Sequence, residues 1–418
     1  MKKLPKLPSS YLEPKIFDNK YIVKEQLSSG SFGVVYLAIH KVTREEVAVK
    51  LEKGQQETLD REVYLLTKLQ GILGVTKLFW FGREQCYNVM VIELLGKDLG
   101  YYGKTYKQLS LKSGLQLLEQ LITIFNCVHQ RGIVHRDLKP ENIMMGKTNT
   151  SQAFLVDFGV SKQIFDKGKH IPFKDKKSFI GTARYASVAA HKGFEIGRKD
   201  DLESLMYVII YLILGQRNQL IEENCLGQDC CCRRTLCKEL PPAFAEYLNY
   251  LKGLKYEDQP DYELLKKIMR KCSEINTYDN QFEWTEKQSQ QQQDKIGENK
   301  QQSSFLVVPN GLGDQQQRQN TKKQSYMGSQ SSNAVKYVPS FQEAISIQAK
   351  PAPQKIIASQ PHIEVLKQIE TIDFDDIEEN MENQQTLEQK YLKLEDLDAK
   401  FKEVGNNKSY SAIHIFEN

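Results

Sequence analysis

Residues 133–142 read I-V-H-R-D-L-K-P-E-N, and this stretch constrains the chain more tightly than any other. Within it Asp137 is followed two residues later by Lys139 and five residues later by Asn142. A carboxylate can take a proton from a hydroxyl, an ammonium can neutralise an anion, and an amide oxygen can bind a hard cation. A bare H-R-D recurs by chance in unrelated chains, whereas ten residues in this order do not. The string also sets conditions on its surroundings. A glycine-rich loop, a strand lysine and a helix glutamate must precede it, and D-F-G must follow.

The upstream conditions are met in order. Residues 21–27 read as a strand that ends at Leu27 and leads into a turn containing Gly30, Ser31 and Gly33. Residues 34–39 alternate as a second strand carrying Val35, and residues 46–51 hold V-A-V-K, with Ala48 and Lys50, as a third. Next comes L-D-R-E-V-Y-L-L-T-K-L, where Leu59, Val63, Leu66 and Leu69 fall on one face of a helix. Glu62 is the candidate partner for Lys50 on that helix, and Glu57 is its nearest competitor. Residues 87–96 form an apolar strand ending at Ile92, Glu93 and Leu95, and residues 111–131 form a long amphipathic helix. Downstream, residues 153–156 are a short strand that ends in Asp157-Phe158-Gly159.

Together these motifs resemble the protein kinases. The resemblance implies an α+β, two-lobed fold: a small β-rich N-lobe with one main helix and a larger, mostly helical C-lobe. It implies ATP bound between the lobes by Leu27, Gly30, Ser31, Gly33, Val35, Ala48, Lys50, Ile92, Glu93 and Leu95, the last two through main-chain groups. Lys50 would meet the α/β-phosphates, held by Glu62. Asp137, Lys139 and Asn142 would carry the transfer, with Mg²⁺ on Asn142 and Asp157.

A narrower resemblance, to the casein kinase I family, lies in G-T-A-R-Y-A-S at 181–187 and R-K-D-D-L-E-S-L at 198–205. Glu93-Leu94-Leu95-Gly96, His170-Ile171-Pro172 and the lack of A-P-E at 186–188 agree with it. The similarity runs from about residue 15 to Trp284. It implies a serine/threonine kinase preferring acidic or already phosphorylated protein substrates, active without phosphorylation of its activation loop. Arg184 matches a position that binds an anion, Thr182 one that steadies Asp137, and Asp201 one that braces the catalytic loop.

Several residues depart from that pattern. Ser28 takes the place of the first loop glycine; if the position needs a positive φ, a side chain there costs about 1–2 kcal/mol. Leu138 and Glu141 give L-K-P-E-N where V-K-P-D-N is commoner, and Met206 stands where glycine is usual. Residues 216–235 are shorter than the family segment, where a second basic anion-binding position normally lies; Arg233 and Arg234 are candidates to replace it. These departures motivate the alternative reading, a weak pseudokinase that acts as a scaffold.

Composition separates this domain from its flanks. Residues 1–14 read as a disordered lead-in, 15–284 as the kinase domain (N-lobe about 15–95, C-lobe about 96–284), and 285–360 as a Gln/Ser-rich disordered tail. Residues 361–418 carry 14 acidic and 6 basic residues, a net of −8, so residues 1–360 hold +12 of the overall +4. Leu387, Tyr391, Leu394, Leu397 and Phe401 mark an amphipathic helix near 386–402. Upstream of it, the acidic run Asp373, Asp375, Asp376, Glu378 and Glu379 is a candidate to fold back on the basic substrate groove and inhibit the enzyme; the alternative is a partner-docking or coiled-coil helix. Cys225, Cys230, Cys231, Cys232 and Cys237 leave open a zinc site, acylation or redox sensing, and an ordinary reduced loop. No nucleic acid partner is expected. The most apolar run, 205–214, is too short to span a bilayer, and no signal peptide, myristoylation or prenylation motif is apparent. A cytoplasmic or nuclear protein is expected.

Overall fold

The computed structural model describes residues 16–30, 33–53, 58–84, 87–215, 236–272 and 279–285. Ser31, Glu57, the four cysteines at 225 and 230–232, Arg233, Arg234 and both tail segments lie outside them. The chain divides into one unit of residues 1–280 with 353–418 and a second of residues 281–352. In the second, the rings of Phe282 and Trp284 stack with centroids 4.7 Å apart.

The first unit begins with an antiparallel sheet. Its strands are β1 (Ile16–Phe17), β2 (Tyr21–Gly30), β3 (Gly33–His40), β4 (Glu46–Lys53), β5 (Leu78–Glu84) and β6 (Tyr87–Glu93), in the order β1-β2-β3-β4-β6-β5. Alternation along each strand sorts the side chains. Val47, Val49 and Leu51 of β4 join Tyr36, Ala38, Val89 and Val91 in one apolar cluster with Phe17, Tyr21 and Val23. Ala48, Lys50 and Glu52 therefore point to the opposite face, where helix α1 (Thr58–Leu69) connects β4 to β5. Its apolar stripe of Leu59, Val63, Leu66 and Leu69 is buried. Ser28 lies within β2 opposite Val35 and is not among the residues with positive φ, so the strain that a left-handed conformation imposes on a side chain does not arise there.

After β6 the chain becomes largely helical: α2 (Leu99–Tyr106), α3 (Leu111–Gln130), α4 (Val188–His191), α5 (Arg198–Leu214), α6 (Pro242–Gly253) and α7 (Tyr262–Arg270). Asp98, Ser110 and Asp261 cap α2, α3 and α7 by accepting from the N–H three residues on. Helix α5 is apolar almost all round from Leu205 to Leu212 and correspondingly buried. It packs closely on α3: a Cβ at Gly114 would sit 2.6 Å from Ile213 Cδ1. Between α3 and α4 run short antiparallel pairs, β7 (Ile133–Val134) with β10 (Lys162–Gln163), β8 (Ile143–Met145) with β9 (Ala153–Leu155), and β11 (Phe165–Asp166) with β12 (Lys169–His170).

One buried carboxylate ties these helices to the 133–142 loop. Asp201, in the first turn of α5, accepts from the N–H groups of His135 (2.7 Å) and Arg136 (2.9 Å) and meets His129 Nε2 of α3 at 2.9 Å. Burial raises its carboxyl, but the hydrogen bonds and charges of His129, with His135 and the Arg136 N–H, outweigh it and hold Asp201 below the usual range. Asp201→Ala strands two buried N–H groups at about 1–3 kcal/mol each. Urea unfolding at pH 7 is expected to show a loss of about 3 kcal/mol. A depressed carboxyl stabilises fully above its unfolded pKa of about 3.9 and stops doing so as pH falls through the folded value. The gap between wild type and variant is therefore expected to narrow on acidification, and a constant gap would argue against this account.

Candidate active site

Lys50 sits on β4, cross-strand from Val35 and Met90, at the point where sheet and helix face each other. Its Nζ lies 2.6 Å from Glu62 Oε2 of α1 and 3.3 Å from Asp157 Oδ1, just past β9. Burial works against the ammonium, yet the carboxylates of Asp157 and Glu62 outweigh it and hold Lys50 protonated well above its ordinary value. For Asp157, burial raises the carboxyl, but Lys50, His135 and Lys139 prevail and keep it below the usual range. Glu57, the sequence competitor of Glu62, lies outside the described residues.

The 133–142 loop is fixed from several sides. His135 Nε2 meets Val156 O at 3.0 Å, and Arg136 donates through Nε to Val160 O at 2.7 Å, so both report on the D-F-G segment. Asp137 Oδ2 takes the Lys139 ammonium at 2.7 Å, and Oδ1 takes the Thr182 hydroxyl at 2.7 Å. Asn142 donates through Nδ2 to the Asp137 carbonyl at 2.8 Å, which leaves its amide oxygen as the end able to bind a cation. Gly181, at φ +100°, allows Thr182 this approach: a Cβ there would stand 2.6 Å from Arg136 O.

The sequence-selected nucleotide contacts line the strands around Lys50. Ala48 and Leu95 are buried, Val35, Ile92 and Glu93 half-buried, and Leu27 is 47% exposed at the edge; Gly30 pairs with Gly33 between β2 and β3, and Ser31 lies outside the described residues. Glu93 gives its N–H to Lys77 O at 2.9 Å, so that N–H is already engaged. Leu95, by contrast, takes part in no backbone hydrogen bond among the described residues. Arg184 lies in the 3-10 turn Ala183–Tyr185, two residues after Thr182, with its guanidinium 5.7 Å from the Tyr211 ring centre.

Two positioning contacts were not legible beforehand. Arg61 Nη2 donates to Ser161 O at 2.8 Å and Lys68 Nζ to Gln163 Oε1 at 2.6 Å, tying α1 to the chain just after D-F-G. In sequence these are ordinary charged residues of an amphipathic helix, and only the fold reveals what they face.

Among the described residues no group of three or more His, Cys, Asp or Glu side chains could hold a metal ion alone. An ionised Asp157 with the Asn142 amide oxygen fits Mg²⁺, a hard cation that takes one or two protein oxygens and completes its shell from phosphates and water.

No helix among the described residues is long and apolar enough to cross a membrane. The model of the protein kinase domain matches residues 21–294, from β2 onward through every site residue described above. That interval is well over half of the 418-residue chain. The chain belongs to the protein kinase domain family.

Proposed function

We propose that this protein kinase is a serine/threonine kinase of the casein kinase I type, selecting acidic or already phosphorylated protein substrates. Phosphoryl transfer to proteins follows from its family; the narrower reading is supported by the 181–187 and 198–205 segments and by Arg184. The observation that carries an active enzyme, rather than a scaffold, is the intact Lys50–Glu62 ion pair at 2.6 Å with Asp157 3.3 Å from the same ammonium. The scaffold alternative leaned on Ser28 and on residues 216–235. The extended backbone at Ser28 carries no left-handed strain, which favours the active reading, and the second segment lies outside the described residues.

In this reading Lys50 holds the α/β-phosphates of ATP and Glu62 holds Lys50. Asp137 orients the Ser or Thr hydroxyl and takes its proton as the γ-phosphoryl group passes to the hydroxyl oxygen and ADP leaves. Lys139, 2.7 Å from Asp137, offsets charge on the moving phosphoryl group. Thr182 keeps the other Asp137 oxygen engaged and so limits its rotation. When bound on Asp157 and Asn142, Mg²⁺ supplies charge neutralisation for the phosphates. An arginine brings a planar fork suited to two hydrogen bonds with one phosphate, and the Arg184 guanidinium lies 5.7 Å from the Tyr211 ring centre.

Transfer of labelled phosphate from ATP to casein is expected for the full chain, falling by about 10²-fold or more in Asp157→Asn. Absence of transfer by the wild-type chain would favour the scaffold. With matched peptides, Arg184→Ala is expected to lower kcat/KM for the phosphorylated one about tenfold and to leave the unphosphorylated one unchanged. If the wild type uses both peptides equally, Arg184 does not read a phosphate.

A further inference from the structure

Glu52 is a charged side chain that is only 2% exposed and has no part in the chemistry above. It stands two residues beyond Lys50 on β4, so the pleat sends both side chains to the same face. Lys50 meets Glu62 in the second turn of α1, and Glu52 meets the first turn of the same helix. Its Oε2 accepts the Leu59 N–H at 3.0 Å, and its Oε1 accepts the Thr58 hydroxyl. Asn88, directly opposite on β6, adds a side-chain hydrogen bond. The first N–H groups of a helix have no partner within the helix, and a carboxylate there also suits the helix dipole.

The spacing of the two contacts is matched. Two residues of strand advance about 6.7 Å, and the three to four residues from Thr58 or Leu59 to Glu62 advance about 4.5–6 Å along a helix. Glu52 and Lys50 are thus neighbouring rungs between β4 and α1. Arg61 and Lys68 tie α1 to the chain after D-F-G, but against β4 a rung at Glu62 alone leaves the first turn unfixed, and the second rung one turn away sets the position of that turn along the strand. The second rung is dry: burial pushes the Glu52 carboxyl up to about 7 against the opposing pull of the Leu59 N–H, Lys50 and Asn88. Asp60, the next acidic group on the helix, is occupied by Arg83 at 2.6 Å.

We propose that Glu52 is a positioning residue for phosphoryl transfer, which caps the first turn of α1 and thereby holds Glu62 against Lys50. The proposal rests on the reading of Lys50 and Glu62 given under Proposed function.

A double-mutant cycle on the full chain tests it, with labelled ATP and casein as substrates and kcat, the KM for ATP and thermal unfolding as readouts. Glu52→Ala is expected to lower kcat about tenfold, the worth of one lost charged hydrogen bond. In a Glu62→Ala background the same change is expected to cost less than about twofold, because the group it positions is gone. A full tenfold loss in both backgrounds, or an unchanged kcat in the single variant, overturns the proposal, since a merely structural role adds independently of Glu62. Should thermal unfolding show that Glu52→Ala does not fold, Thr58→Val removes one donor and keeps the carboxylate. Its loss of about threefold is expected to vanish in Glu62→Ala, and persistence there overturns the proposal equally. Full activity of Glu62→Ala alone is a different result: it sinks the reading of the ion pair itself.

Discussion

The Lys50 ammonium is the point on which the rest of the site depends. It lies on a central strand, yet the two carboxylates that keep it charged come from a helix and from the turn after a distant short strand. An ammonium in a dry site is unfavourable without such partners, and two carboxylates near each other are unfavourable without the ammonium. Each group therefore makes the others tolerable, and the three segments meet at one ammonium, the group that in the proposed reading meets the phosphates. Arg61 and Lys68 extend the same logic, since they tie the helix bearing Glu62 to the backbone that follows Asp157.

Backbone conformation is the second constraint. Arg136 and Asp157 both adopt left-handed φ values, +68° and +65°, which side chains occupy at some cost. Hydrogen bonds hold both there. Arg136 gives its N–H to Asp201 and its Nε to Val160 O, while Asp157 is drawn to Lys50. Arg136 adjoins Asp137 and Asp157 opens the D-F-G segment, whereas other side chains with positive φ, Asp18, Arg44 and Lys107 among them, lie elsewhere in the described chain. At Arg136 and Asp157 the effect is to aim consecutive groups in directions that regular strand or helix would not allow.

Much of this was legible in the sequence, for identifiable reasons. Strand alternation around Lys50, the apolar stripe of α1 and the all-apolar centre of α5 are local patterns, and local patterns survive in a linear reading. Glu62 could be chosen because its helix face was defined by Leu59, Val63 and Leu66. Glu52 could not, although its position two residues past Lys50 on one strand face was visible. Its importance comes from a helix start that sequence places only to within a few residues. The short pairs β7–β10 and β11–β12 were equally hidden, because two-residue strands have no period to detect. Ser28 shows the reverse case: a motif departure that looked costly is accommodated by an extended backbone.

What the site can select follows from how few residues separate chemistry from recognition. Thr182 touches Asp137, and Arg184 is two residues further on in a tight turn. Two residues of chain span at most about 7 Å, and an extended substrate advances about 3.3 Å per residue. In the proposed reading, an anion held by Arg184 must therefore lie only a few positions from the hydroxyl that Asp137 accepts. The turn that places Arg184 is itself anchored by the Thr182 bond and by the close approach at Gly181. In that reading, a shift of the Asp137 carboxylate and a shift of Arg184 are linked through residues 181–184, and substrate register is coupled to reactivity.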